Sequence, residues 1–340
     1  METAQLLCAL CAAKGGSGAE STAAQTALSL TGLPGGQVDA LGNAWVTFGA
    51  ENGPHLLLEA HIDQIGMIVT HIDKDGFVRF APCGGLDVRT LPGSPVEIYA
   101  QGASEPLPGV VSSVPPHLNQ NGTKELPDMA DLAVDAGLSK EEAEKRIHPG
   151  DRMFLRYTPK TLLGTRVVSG ALDDRAGGAS LILCAQMLKD VPLSCRVTLL
   201  FATREEVGGQ GAKTAAFGLS PDAAICVDVG FADQPGAKPA ATKPLGSGAM
   251  IGTAPILNRA MVGRLASLAE REGIPYTWDV MGGSTGTDCD EVAVTKSGVP
   301  TALLSIPQRS MHTTAEIVDT KDVEAVARLM AAYAKEVHNA

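Results

Sequence analysis

Aromatic side chains are scarce: Trp, Tyr and Phe make up 4% of 340 residues, with only two Trp and four Tyr. So few rings cannot line a groove with stacked sugars, which weighs against a polysaccharide-binding surface. Basic charge is short as well. Lys and Arg number 27 against 38 Asp and Glu, a formal net charge of −11, which argues against nucleic acid and anionic membrane as partners, since both are bound through basic surface. No apolar run approaches the ~20 residues of a membrane-spanning helix. The opening apolar segment Leu6–Ala13 follows Glu2 rather than a basic stretch and reads as an amphipathic helix of the mature protein. The seven cysteines form an odd set lying mostly in apolar runs, as expected of reduced, buried thiols in a cytoplasmic protein. Cys8-x-x-Cys11 has no preceding strand and reads as two thiols on one helical face rather than a redox motif.

What the chain does have is apolar content of 44% in a length that is long for one hydrophobic core, so two units are expected. From Gly66 to Leu163, short β-like runs (Gly66–Ile72, Phe77–Ala81, Pro95–Tyr99, Val110–Val114, Arg152–Tyr157) alternate with Gly, Pro and Asp turns, Asp75-Gly76 among them. They predict a small inserted β-barrel or sandwich at 66–163, interrupted by one helix with a Ser139-x-x-Glu142 capping box. Residues 1–65 and 164–340 make the larger domain. There, buried strands (Leu56–Leu58, Arg196–Ala202, Ala223–Val227, Thr301–Ser305) alternate with helices (Leu181–Leu188, Ala212–Phe217, Met261–Arg271, Val323–Val337), predicting an α/β sandwich. Thr320 is the expected N-cap of the closing helix.

The strands run into chemistry-bearing residues. Leu56–Leu58 leads to His61 and Asp63, Arg196–Ala202 to Glu205-Glu206, Ala223–Val227 to Asp228, and Thr301–Ser305 toward His312. Taken singly, each has an ordinary explanation: a core histidine with its acid, a solvated acidic turn. Asp173-Asp174, in Gly170-Ala-Leu-Asp-Asp-Arg-Ala-Gly-Gly178, reads alone as carboxylates complementing a helix N-terminus. Open α/β sheets, however, collect ligands beyond the carboxyl ends of their strands, so these residues can converge on one crevice. Two imidazoles with several carboxylates and no thiolate suit two divalent ions, zinc, cobalt or manganese. Two such ions about 3.5–4 Å apart need a shared carboxylate, for which Asp173 is the candidate. Of the adjacent Glu205 and Glu206, one is expected to ligate and the other to act as general base.

In order and spacing, His61-Ile-Asp63-Gln-Ile-Gly66, Ala171-Leu-Asp-Asp-Arg-Ala-Gly177, Glu205-Glu-Val-Gly208, Asp228, Gly286-Thr-Asp288 and Met311-His312-Thr resemble the TET or glutamyl aminopeptidase family. These di-metal aminopeptidases of metallopeptidase clan MH are often labelled endoglucanase M or cellulase M. The resemblance implies a phosphorylase/hydrolase-like α/β/α sandwich with a mixed central sheet plus the inserted β domain as a dimerisation unit. It implies that His61, Asp173 and Asp228 hold one ion, and Asp173, Glu206 and His312 the other. Glu205 would be the general base acting on a metal-bridging water, and Asp63 would orient the His61 ring. The implied substrate is a peptide with a free N-terminus, and the implied assembly is a dimer that builds a tetrahedral dodecamer. Gln64, where relatives commonly carry Glu, and Thr313-Thr-Ala, where Ser-Pro is frequent, depart from the pattern.

Two other chemistries compete. Gly282-Gly-Ser-Thr-Gly286 satisfies G-x-S-x-G, so a serine hydrolase using Ser284 with His312 is an alternative, but it leaves Asp173, Glu205, Glu206 and Asp228 without a role. A glycoside hydrolase could use paired carboxylates. Adjacent Glu205 and Glu206 cannot easily flank one glycosidic bond at the roughly 5–10 Å separations this needs.

Overall fold

The computed structural model describes residues 1–114, 117 and 127–337. By its internal packing the chain separates into two compact units. One comprises Met1–Gln64, Thr158–Met311 and the chain from Ala315 onward; the other comprises Ile65–Tyr157 with His312–Thr314.

The larger unit is built on an eight-stranded sheet. Its centre is β3 (His55–His61), flanked by β12 (Arg196–Ala202) and β13 (Ala223–Phe231), both parallel to it. Beyond β13 lie β16 (Thr301–Gln308), β14 (Ala249–Thr253) and β15 (Tyr276–Val280); beyond β12 lie β2 (Ala44–Gly49) and β1 (Gln37–Val38). β2–β12, β1–β2 and β14–β16 pair antiparallel, so the sheet is mixed. Every residue of β3 is buried, as expected for a strand covered on both faces. On one side α4 (Leu172–Leu188) packs against β3 and β13 and meets α1 (Thr3–Ala12), α2 (Ser21–Thr31) and α8 (Thr320–Lys335). Helix α6 (Arg259–Arg271) packs on α8 and β14, while α5 (Gln210–Leu219) and α7 (Asp288–Ala293) pack on each other and on β12, β13 and β16. The result is the expected α/β/α sandwich. A small antiparallel sheet of β10 (Lys160–Thr161), β11 (Arg166–Ser169) and β17 (Glu316–Asp319) completes this unit.

The second unit is a closed barrel, ordered β4 (Gly66–Ile72), β5 (Val78–Cys83), β8 (Val134–Asp135), β7 (Leu107–Val111), β6 (Pro95–Tyr99) and β9 (Arg152–Leu155). Met67, Val69, Val78, Val96, Ile98 and Met153 fill its core. The β4–β5 hairpin closes around Asp73, whose Oδ1 accepts the amides of Asp75 and Phe77, both at 3.0 Å. Gly76 turns the corner at φ 93°, and a Cβ there would stand 2.7 Å from the Leu138 carbonyl oxygen. Helix α3 (Lys140–Arg146) carries the Ser139–Glu142 capping box.

Several local expectations are corrected. The N-cap of α8 is Asp319, whose Oδ1 accepts the Lys321 amide at 3.1 Å; Thr320 is the first helical residue. The polar stretch after Glu20 is α2, eleven residues from Ser21 to Thr31, whose buried face is three alanines and a threonine. Small residues bury without producing a strong apolar stripe. Among the described residues no helix is long and apolar enough to cross a membrane, and all seven cysteines are free thiols.

One fully buried cation ties the N-terminal segment to the sandwich. Arg175 Nη1 donates to the carbonyls of Leu10 and Ala13, both at 2.8 Å, and Nη2 to that of Gly15 at 3.4 Å. These carbonyls lie at and beyond the end of α1, where the helix leaves acceptors unsatisfied. Replacing Arg175 by Met keeps the apolar stem but leaves them without these donors. Urea titration of Arg175→Met should give a lower midpoint with unchanged slope, a loss of about 1–3 kcal/mol.

Candidate metal centre

The parallel strands set the site. His61 ends β3, level with Ala202 at the end of β12, and Asp228 lies one residue beyond the paired Ala60 and Val227. Beyond β12 the chain turns through Arg204, at φ 63°, into a single 3-10 turn, Glu205–Val207. The fourth element is the Ala171–Asp174 corner. Ala171 is left-handed at φ 61°, and Asp173 and Asp174 have non-helical dihedrals. Regular helix therefore begins only after the pair, which turns Asp173 toward His61. Glu316 Oε2 accepts the Asp173 amide at 3.2 Å.

Distances around the imidazole are short. His61 Nε2 stands 3.0 Å from Asp173 Oδ1, 3.9 Å from Asp228 Oδ1 and 4.0 Å from Glu205 Oε2. One donor atom each from His61, Asp173 and Asp228 lie mutually within 4.8 Å, and all three residues are buried. On the other side of the ring, Nδ1 is 3.2 Å from the Asp63 carbonyl and 3.5 Å from its Oδ1. The ring's contact with Asp63 thus involves backbone as well as carboxylate, where sequence reasoning expected the side chain.

The electrostatics favour a cation. Burial alone would push His61 down, yet Asp173, Asp63, Glu205 and Asp228 hold it well above its ordinary value. Burial pushes Asp228 well up, with Asp173 and Glu205 adding repulsion. Glu206 is pushed up to about 10, first by burial and then by Asp173. Protein groups alone leave these carboxylates resisting ionisation; a divalent ion among them would reverse that. Asp63 behaves differently: burial raises it, but the His61 ring, the Ser17 hydroxyl and the Glu205 amide together hold it below the usual carboxylate range.

His61, Asp63, Asp173, Glu205, Glu206 and Asp228 thus come together in the larger unit. His312 belongs to the other unit, at φ 61°, with Nδ1 2.9 Å from the Gly85 carbonyl. Only glycine fits opposite it, since a Cβ at position 85 would stand 2.6 Å from that ring nitrogen. Asp174 takes the helix-start place expected of it, its Oδ1 accepting the Gly177 amide at 2.9 Å, but it is fully buried there, and burial pushes it well up. Sequence reasoning missed Glu59, two residues before His61 on the same strand face, and passed over Asp288. Both are buried, Glu59 is pushed up to about 8 by burial, and burial plus the Glu59 charge raise Asp288. An acid at i−2 from a strand histidine was the available signal. Ser284 is exposed in the turn between β15 and α7 rather than at a strand-to-helix elbow.

Comparison with known proteins decides the family. The profile described as M42 glutamyl aminopeptidase matches residues 42–329. The chain belongs to this family. Among the relatives of this M42 chain, a lysyl aminopeptidase of Pyrococcus furiosus is 32% identical over 307 residues, covering 88% of this chain and 87% of the relative. The aminopeptidase APDkam598 of the archaeon Desulfurococcus kamchatkensis superposes with a TM-score of 0.92 at 32% identity, covering 98% and 94% of the two chains. A TET1 peptidase of Pyrococcus horikoshii, described as assembling into a tetrahedron or a large octahedral shell, gives a TM-score of 0.87 at 31% identity, covering 98% and 100%. Membership makes the chain a peptide hydrolase of the aminopeptidase type, from a metal-dependent family.

Charge crowding in this centre is testable without substrate. In excess chelator, Asp228→Asn should unfold at a higher temperature than wild type stripped in the same way. Asn cannot ionise, so folding no longer has to protonate a carboxyl that burial pushes well up, while the acceptor for the Val229 amide, 2.7 Å away, is kept. An increase of about 2–4 °C corresponds to about 1 kcal/mol in a domain of this size. An unchanged or lower midpoint would contradict the repulsion.

Proposed function

We propose that this M42 aminopeptidase holds two divalent ions and removes the N-terminal residue from short peptides. His61, Asp173 and Asp228 hold one ion, and Asp173, Glu206 and His312 the other, with Asp173 shared. The observation that carries the reading is the convergence of His61, Asp173 and Asp228 donors within 4.8 Å, beside a fourth acid, Glu205. An all-nitrogen and oxygen donor set suits zinc or cobalt, with manganese as a third candidate. Bound ions of this kind polarise a scissile carbonyl and ease ionisation of water near neutral pH.

The remaining steps belong to side chains. Glu205 takes the proton of the attacking water and returns it to the leaving amine. Its Oε2, 4.0 Å from His61 Nε2, sits beside the donor set without being needed in it. Asp63 orients the His61 ring and accepts the amides of Glu205 at 3.0 Å and Glu206 at 3.4 Å, so base and ligand are aimed from one buried carboxylate. The peptide's free N-terminus is recognised at this centre. The larger of the two units is the catalytic domain. The inserted β domain mediates dimer contacts, and dimers build a tetrahedral dodecamer, a reading supported by TET1 structures described as a dodecamer and as assembling into a tetrahedron; the enzyme works in the cytoplasm.

Hydrolysis of leucyl- and glutamyl-anilides tests the chemistry. Chelation should abolish it and added zinc or cobalt restore it. Glu205→Gln should lower kcat by about 10²–10⁴-fold with bound metal unchanged. Undiminished activity in either case sinks the mechanism. Sedimentation of metal-loaded protein should give a twelve-subunit particle, reduced to dimers when ions are removed; a monomer throughout would overturn the assembly.

A further inference from the structure

The segment Gly15-Gly-Ser-Gly-Ala-Glu20, a plain turn in sequence, runs beside Asp63. Ser17 is buried, 5% exposed, and its Oγ donates to Asp63 Oδ2 at 2.6 Å. The turn is fixed to backbone on several sides. Gln64 donates its amide to the Gly15 carbonyl at 3.1 Å, and Gly16 forms a parallel bridge with Gln64. Within the turn, Ala19 N donates to Gly16 O at 2.8 Å and Gly18 N to Glu20 Oε1 at 2.6 Å. Arg175 holds the Gly15 carbonyl from the other side. The hydroxyl therefore projects from a braced support.

Asp63 has further donors in the Glu205 amide on Oδ1 and the Glu206 amide on Oδ2. The second is long, at 3.4 Å, so the 2.6 Å bond from Ser17 is the short contact on Oδ2. The turn these amides belong to follows Arg204, a non-glycine residue at φ 63°, a conformation that persists only where its surroundings hold it. We propose that Ser17 is a positioning residue for hydrolysis. Its hydroxyl fixes the rotation of the Asp63 carboxylate and, through it, the backbone of the turn that presents Glu205 and Glu206. The inference rests on the metal-hydrolase reading above. Without the hydroxyl the carboxylate can rotate about its terminal bond, and the Glu205–Glu206 backbone loses its fixed acceptor. Small displacements of a base are costly in turnover, while substrate contacts elsewhere are retained.

The test compares Ser17→Ala with wild type in two readouts. In chelator-stripped protein, hydrogen exchange at Glu205 and Glu206 should quicken about tenfold, with exchange in the β3 and β13 amides unchanged. In zinc- or cobalt-loaded protein, kcat for leucyl-anilide should fall about tenfold with KM within about twofold and metal content unchanged, the loss expected for one charge-assisted hydrogen bond. Should Ser17→Ala fail to fold, Ser17→Cys, close in size with a weaker donor, is measured instead with the same expectations at smaller amplitude. Exchange and kcat within twofold of wild type, or a rise in KM alone, would overturn the role of Ser17. A wild-type protein indifferent to chelator would instead overturn the metal-hydrolase reading, leaving the exchange result to judge Ser17 independently.

Discussion

Like charges brought close inside a protein repel, and here Asp173, Asp228 and Glu205 stand within 4.0 Å of one imidazole nitrogen. Much of the surrounding architecture serves to hold that unfavourable cluster together. Three parallel strands deliver residues to a common edge, so strand pairing supplies the rigidity. The Ala171–Asp174 corner, with its left-handed alanine and delayed helix start, delivers a carboxylate from ahead of the regular helix. Asp63 is the counterweight, an acid given so many donors that it stays ionised where its neighbours resist charge.

Much of this was legible in sequence because buried strands of a parallel sheet read as continuous apolar runs. Arg196–Ala202 and the start of β13 could be placed from that texture, as could the barrel strands from Gly66–Ile72 and Pro95–Tyr99 with their turns. His61, Asp63, Glu205, Glu206, Asp228 and His312 stood out because each followed such a run, and Asp173 because their convergence called for a shared carboxylate. The metal roles came from the resemblance, and the geometry brings His61, Asp173 and Asp228 to common reach.

What stayed hidden has specific causes. The α2 helix buries alanines, which carry little periodic signal. β14, with its glycine and threonine, and β17, only four residues long, borrow their stability from neighbours rather than from composition. Asp174 stands at the helix start, as its pairing with Asp173 suggested, but its complete burial was not legible: the fold packs it against Gly177, a glycine whose Cβ would lie 2.1 Å from its Oδ2. Ser17 and Arg175 act across long stretches of chain, through contacts that no local pattern encodes.

The strand order has a consequence for how the chain comes into being. β3 is made early, but the partners on either side, β12 and β13, follow only after all six barrel strands have been synthesised. A nascent chain therefore carries a buried-type apolar strand with neither neighbour available until Arg196–Ala202 leaves the ribosome, and with both only once Ala223–Phe231 follows. Such long-range parallel pairing is slow and leaves an adhesive edge exposed meanwhile. The barrel, whose strands are all made between β3 and β12, can close around its own core during that interval, so the order of synthesis separates the folding of the two units in time.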